Sequence, residues 1–303
     1  MIHSFYRKVI KPLISNDVRE KIQKSYLLSC YISYHNAGSI REYVKGKLIY
    51  LFPYFYSEVE HIELYSFMGK YGFCHLPYPF TLNYTPEDVM IFFDETCQLP
   101  YVLHRDKRLY FPNEGYTKYQ IQFAYNELNK EQDFASPHRY ISNEKELSGK
   151  TLLDIGAAEG IFALDVIEYV KNAYLFECEE KWIKPLMATF APWRKKVHIY
   201  QKMVTGRDND NEISLSYFFE DQQLDNVFIK MDIEGGEQAV LNASLDILTN
   251  FKSIELAVCT YHLVDDMEKI ESLLSSLGYQ CSYTDGYFYI NRQFRKAVLR
   301  AYK

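Results

Sequence analysis

Four short stretches of this sequence carry residues that can do chemistry. The first is Asp154-Ile155-Gly156-Ala157-Ala158-Glu159-Gly160. Glycines behind a strand let the backbone turn tightly and approach a ligand closely. Three of them spaced GxGxxG would present helix amides to a pyrophosphate, the signature of a dinucleotide site. Here Ala157 and Ala158 separate Gly156 from Gly160, and an acid stands two residues before the first glycine. A carboxylate there repels a pyrophosphate and suits a ligand with an ammonium or sulfonium group, as in S-adenosylmethionine. A plain tight turn is the competing reading. The second stretch places Glu177 about 20 residues further on, where an acid can accept both hydroxyls of a ribose. Glu179 and Glu180 follow as helix-start residues that the helix dipole favours.

The third and fourth stretches supply acid–base groups. Lys230, Asp232 and Glu234 alternate at the end of an apolar run and precede Gly235-Gly236-Glu237. Period-two spacing puts the three on one side of a strand for as long as the strand continues. Two readings stay open: Asp232 beside a cofactor amine and a substrate, or a structural pair of Lys230 with Asp232 or Glu237, since buried charges need partners. Tyr261-His262 then leads to Asp265-Asp266. A His just past a strand with acids in reach is the best general-base candidate. Asp265 or Asp266 either orients it or caps the next helix.

These residues need a scaffold that brings strand ends together. From Tyr116 the chain alternates strand and helix patterns: KTLLDIG, IFALDVIEYVK, NAYLFE, KWIKPLMATF, VHIYQKMV, VFIKMDIEG, GEQAVLNASLDIL, SIELAVCTY, DMEKIESLLSSLG, and a closing hairpin QCSYTDGYFYI. Such alternation predicts an α/β fold, a Rossmann-like and mostly parallel sheet with helices on both faces. Ligands bind such sheets beyond the carboxyl ends of the strands, where every residue named above sits. Residues 1–115 read differently, as an irregular aromatic-rich mixed α+β appendage with helices near 17–31 and 39–51, a strand in VMIFFDE and a hairpin in YVLHRDKRLYF. The domain boundary is therefore expected between 115 and 116, with residues 116–303 as the catalytic part.

LLDIGAAEG, LFECEEKW, FIKMDIEGGE with AVLNAS, and CTYHLVDD follow one another in an order and spacing that resemble the FkbM-type S-adenosylmethionine-dependent methyltransferases. The resemblance covers about residues 136–290, and IKMDIEGGE is its most specific piece. It implies the class I methyltransferase fold and S-adenosylmethionine held by Asp154, Gly156, Ala157, Gly160, Glu177, Cys178 and Asp232. Tyr140 joins that set because SPHRY resembles a cofactor-proximal segment. Family members usually carry Asn at the position of Ala158. The resemblance also implies O-methylation of a sugar or other small-molecule hydroxyl. An alcohol needs a base more than an amine does, so a His and an Asp agree with it. His262 is the candidate base, with an unperturbed pKa near 6.5, Asp232 positions the reactants and Lys230 is a further catalytic candidate.

Composition narrows the alternatives. The 303 residues are 48% hydrophobic and 24% charged, with 28 Tyr and 20 Phe. That excludes a disordered or collagen-like chain and leaves ring faces to spare for ligands. The net charge of −6 and the lack of an Asn/Asp-Pro-Pro-aromatic motif argue against nucleic acid as a partner. Residues 1–50 carry +6 and the remainder −12. With Ile2, Phe5, Val9, Ile10 and Leu13 at helical intervals, that start suits weak peripheral contact with an anionic membrane, or a solvated helical face, and Pro12 interrupts it. Six scattered cysteines without a CxxC pair predict cytosolic thiols and no metal ribbon. No apolar run reaches the ~18–20 residues that span a bilayer, and the N-terminus lacks the apolar core of a signal peptide. The partners expected are a small-molecule or glycan acceptor and a possible oligomer formed through the appendage. The competing functions are a catalytically silent binding subunit of the same fold and an NAD-dependent enzyme.

Overall fold

A computed structural model describes residues 40–303, except Gln223 and Lys252. The expected helix at 17–31 and the basic amphipathic start lie outside these residues. No helix among the described residues is long and apolar enough to cross a membrane. The described chain falls into two compact units, one ending at Pro79 and reclaiming Tyr289–Phe294, the other comprising Phe80–Phe288 and Arg295–Lys303.

In the first unit, helices Ile40–Leu51 and Ile62–Tyr71 pack on each other around Ile49, Tyr65, Met68 and Tyr289. Their closest approach is at two glycines. A β-carbon on Gly69 would stand 2.1 Å from the carbonyl oxygen of Gly46. The crossing therefore tolerates no side chain. Gly69→Ala should destabilise this unit by about 1–3 kcal/mol, the usual cost of overpacking. The measurement is the rate at which protease cuts between residues 51 and 62, and a rate equal to the parent's would show that the crossing can spread freely.

The second unit is built on a seven-stranded sheet. Its strands are β4 (Thr151–Ile155), β5 (Asn172–Phe176), β6 (Val197–Tyr200), β9 (Val227–Met231), β10 (Ile254–Cys259), β11 (Gln280–Tyr283) and β14 (Val298–Tyr302). The order is β11-β14-β10-β9-β4-β5-β6, and Met203–Val204 (β7) pairs with Glu212–Ile213 (β8) in a separate two-stranded sheet. β6, β5, β4, β9 and β10 pair in parallel, while β14 runs antiparallel to both neighbours. This is the expected α/β sheet, with the strand order of the class I methyltransferase fold. Every residue of β4 and β9 is buried, as central strands covered on both faces require. The chain runs outward from β4 to β6 and then returns to β9, so the order reverses between β4 and β9. That is the crevice where a ligand belongs.

Two expectations change. QCSYTDGYFYI does not fold on itself: β11 pairs with β14, and Phe288–Ile290 (β12) pairs with Gln293–Arg295 (β13). The boundary expected at 115/116 lies instead at Pro79/Phe80. The reason is packing of the intervening chain on the sheet unit. Phe92–Asp94 (β1), Leu99–His104 (β2) and Lys107–Tyr110 (β3) form a three-stranded meander, with Arg105 and Asp106 in the left-handed conformation at the tip of the hairpin. Its His104 Nε2 lies 2.7 Å from Asp165 Oδ1, and the Tyr110 amide donates to Thr189 Oγ1 at 3.0 Å. The helix Lys118–Glu131 follows, started by a capping box between Thr117 and Gln120.

Candidate active site

β4 delivers Asp154 to its carboxyl end, where it is 1% exposed. Lys230, one strand over on β9, answers it with Nζ 3.1 Å from Asp154 Oδ1. The same ammonium donates to the Gly156 carbonyl at 2.6 Å, so β9 holds the glycine turn in place. Burial raises the Asp154 pKa, with Lys230 pulling the other way. Burial opposes the charge on Lys230 as well, but Asp154 and Asp232 outweigh it and hold the pKa above the usual lysine range. Asp154 Oδ1 is answered by that ammonium, and its Oδ2 has no hydrogen-bond partner. A buried carboxylate oxygen without a partner is an acceptor waiting for a donor.

Gly156 adopts φ +78, and a β-carbon there would stand 2.0 Å from the Asp232 carbonyl oxygen. Only glycine allows the first turn to lie against the end of β9. Ala158 also adopts a left-handed φ of 46, a conformation that Asn tolerates better than Ala. Its amide donates to Glu177 Oε2 at 2.8 Å, and the Glu179 amide donates to Glu177 Oε1 at 2.7 Å. Each Glu177 oxygen thus keeps a lone pair free while the carboxylate ties the loops after β4 and β5 together. Cys178 is exposed beside it. Glu159 is buried in the loop, and that burial raises its pKa to about 7.

Asp232, just past β9, is the hub. Tyr140 Oη donates to Asp232 Oδ2 at 2.8 Å, and His262 Nε2 lies 3.4 Å from Asp232 Oδ1. On the other side of the imidazole, Nδ1 lies 2.9 Å from Glu237 Oε1, off the direct hydrogen-bond line. Glu237 has no exposed surface; its Oε1 accepts the Ile233 amide at 2.9 Å and its Oε2 has no partner. Burial opposes a charge on His262, but Glu237, Asp232 and Glu234 outweigh it and raise the pKa above 6.5. The expectation of an unperturbed imidazole is therefore corrected: three carboxylates surround it. Burial also opposes the charge on Asp232, and Lys230, His138 and His262 overcome it to keep that carboxyl below its ordinary range. Glu234 is exposed because the chain turns at Ile233–Gly235, so it leaves the side shared by Lys230 and Asp232.

The structure thus brings Asp154, Gly156, Lys230, Asp232, Tyr140 and His262 together and joins Glu177 to the glycine loop. Asp265 and Asp266 do not orient His262. Asp266 Oδ2 accepts the Leu263 amide at 2.6 Å, and both acids hold Gln238. Sequence reasoning missed Glu237 as the partner of His262 and Glu159 as a buried acid. It also missed Glu131, whose pKa burial, Asp232 and other acids raise well above the ordinary value. His138 packs against Tyr140 and Tyr261 as a wall of the site; burial lowers its pKa to about 4, so it carries no charge at neutral pH. Asp232, Glu237 and His262 each offer a donor atom within 4.8 Å of the others, as do His138, Asp232 and Cys259, a spacing that a cation can use.

Carboxylates thus crowd the crevice around one ammonium, which favours a cationic ligand over a phosphate. Residues 154–281 match the methyltransferase FkbM domain. This chain carries an FkbM methyltransferase domain. The match begins at Asp154 and ends in β11, so it includes every strand end described above. No curated protein matches the chain. Among solved structures it is similar to the FkbM methyltransferase of Methylobacillus flagellatus KT, at 16% identity over 61% of this chain and 54% of that one, TM-score 0.39. The chain thus spans about half the length of that protein. It is also similar to the precorrin-6y C5,15-methyltransferase of Geobacter metallireducens GS-15, at 14% identity over 53% of this chain and 84% of that one, TM-score 0.36. A third is M. capricolum TrmK in complex with S-adenosyl-homocysteine, at 14% identity over 53% of this chain and 66% of that one, TM-score 0.34.

Proposed function

We propose that the FkbM domain uses S-adenosylmethionine to methylate a hydroxyl of a sugar or other small molecule, with His262 as the base. The observation that carries this reading is the His262 imidazole set between Asp232 and Glu237 beside the glycine turn. The residues present suit the cofactor. The unpartnered Oδ2 of Asp154 and the carboxylate of Asp232 match a cationic amino-acid end, and the free lone pairs of Glu177 match ribose hydroxyls. A pyrophosphate would meet the same acids as repulsion, which disfavours a dinucleotide. When bound, the cofactor supplies a methyl group on a sulfonium, already a good leaving group.

The residues then have two tasks. Orientation of the acceptor by Asp232 and the ring wall of Tyr140 and Tyr261 can contribute roughly 7–11 kcal/mol. His262 Nε2 receives the hydroxyl proton, and Glu237 and Asp232 stabilise the imidazolium that results. Raising the imidazole pKa makes it a stronger base for an alcohol, while leaving less of it free at neutral pH. The test is a crystal structure with S-adenosylhomocysteine. Its ribose should lie on Glu177 and its sulfur should face the space between Asp232 and His262. A sulfur turned away from both residues would overturn the assignment of the base.

A further inference from the structure

A second concavity in the sheet unit belongs to none of the machinery described above. It encloses about 340 Å³ between the turn at residues 83–90, the meander and helix Lys118–Glu131. That volume lies within the range of small-molecule sites. Asn126 forms part of its wall, is 2% exposed, and its Nδ2 has no hydrogen-bond partner. Buried amide donors almost always have acceptors, so this one points to an oxygen supplied by a ligand. Asn129, one turn further along the helix, donates its own Nδ2 to the Tyr125 carbonyl at 2.6 Å, which leaves its side-chain oxygen as an acceptor. Tyr84, Phe92 and Tyr125 add aromatic surface. Among the described residues that line the space there is no Lys, Arg or His, and Asp88 is the one acid.

We infer that this pocket binds a neutral pyranose. A polyhydroxylated ring presents alternating donors and acceptors on its edge and C–H groups on its faces. Amide side chains match the edge, and aromatic rings match the faces. Without a cation in the lining, the site offers nothing to hold a phosphate or a carboxylate. The inference stands apart from methyl transfer, since none of these residues belongs to the candidate active site.

The test uses the full chain with methyl β-D-glucopyranoside, methyl β-D-galactopyranoside and methyl α-D-mannopyranoside as probes, and glucose 6-phosphate as the charged comparison. Saturation-transfer NMR should detect at least one of the three glycosides, and calorimetry should give a weaker affinity for the phosphate. Asn126→Leu should reduce the glycoside affinity about tenfold or more, the scale of an unmade buried hydrogen bond. It should not lower the melting temperature, because the amide it removes has no partner in the free protein. Phe92→Ala, at the exposed rim, provides a second variant that leaves the interior untouched and should also weaken binding. No transfer to any of the three glycosides would overturn the inference. So would binding that survives both substitutions, or a preference for the phosphate.

Discussion

His262→Ala is expected to lower turnover on the true acceptor roughly 10²–10⁴-fold while leaving cofactor affinity nearly intact, because it removes a base and no cofactor contact. The pH profile carries the more specific signature. The base works as the neutral imidazole, so the rate should fall on acidification. Glu237, Asp232 and Glu234 raise the His262 pKa above 6.5, so the fall should be centred above the ordinary histidine value. Glu237→Gln, which deletes one of these charges, should move the acidic limb to lower pH. Stability runs in the opposite direction. A group whose pKa is raised on folding stabilises the fold fully below its unfolded value near 6.5, and that contribution disappears as pH rises through the folded value. Acid should therefore slow the reaction while this contact tightens. Near-normal turnover by His262→Ala would move the base to Asp232 or to solvent.

Lys230→Met is expected to be the most destabilising single change near the site, at about 3–5 kcal/mol, because it strands Asp154 as a buried charge without its partner. The pair is well hidden, with side chains 7% and 1% exposed. Lys230 also holds the Gly156 carbonyl, so its loss should loosen the glycine turn. Urea unfolding should show the drop. The double variant Lys230→Met with Asp154→Asn should recover a large part of it, since a stranded carboxylate is then no longer present. An equal loss in the single and double variants would mean that Lys230 acts through packing rather than charge.

The sequence made the sheet legible because buried parallel strands read as uniform apolar runs, and the helices between them show their own period. Asp154, Gly156 and Lys230 stood out because charge and glycine are unusual at the mouth of such strands. Glu237 stood out only as a partner for Lys230, and not for His262. An acid at the first turn of a helix is ordinary, and only the fold reveals that it has no exposed surface and faces His262. β14 was hidden by Arg295, Lys296, Arg300 and Lys303, which make a strand between two others look like a solvated tail. The 80–115 segment looked like part of the aromatic region before it because both lack regular periodicity. Its attachment to the sheet unit rests on pairs such as His104 with Asp165, 61 residues apart, which no local pattern encodes.

Calorimetric titration of the full chain with S-adenosylhomocysteine, and separately with NAD, tests the central claim most directly. S-adenosylhomocysteine should bind and NAD should not, and Glu177→Ala should weaken the binding by about 1.5–3 kcal/mol, the scale of charged hydrogen bonds. Binding of NAD without binding of S-adenosylhomocysteine, or an affinity for S-adenosylhomocysteine indifferent to Glu177→Ala, would contradict the cofactor site described here.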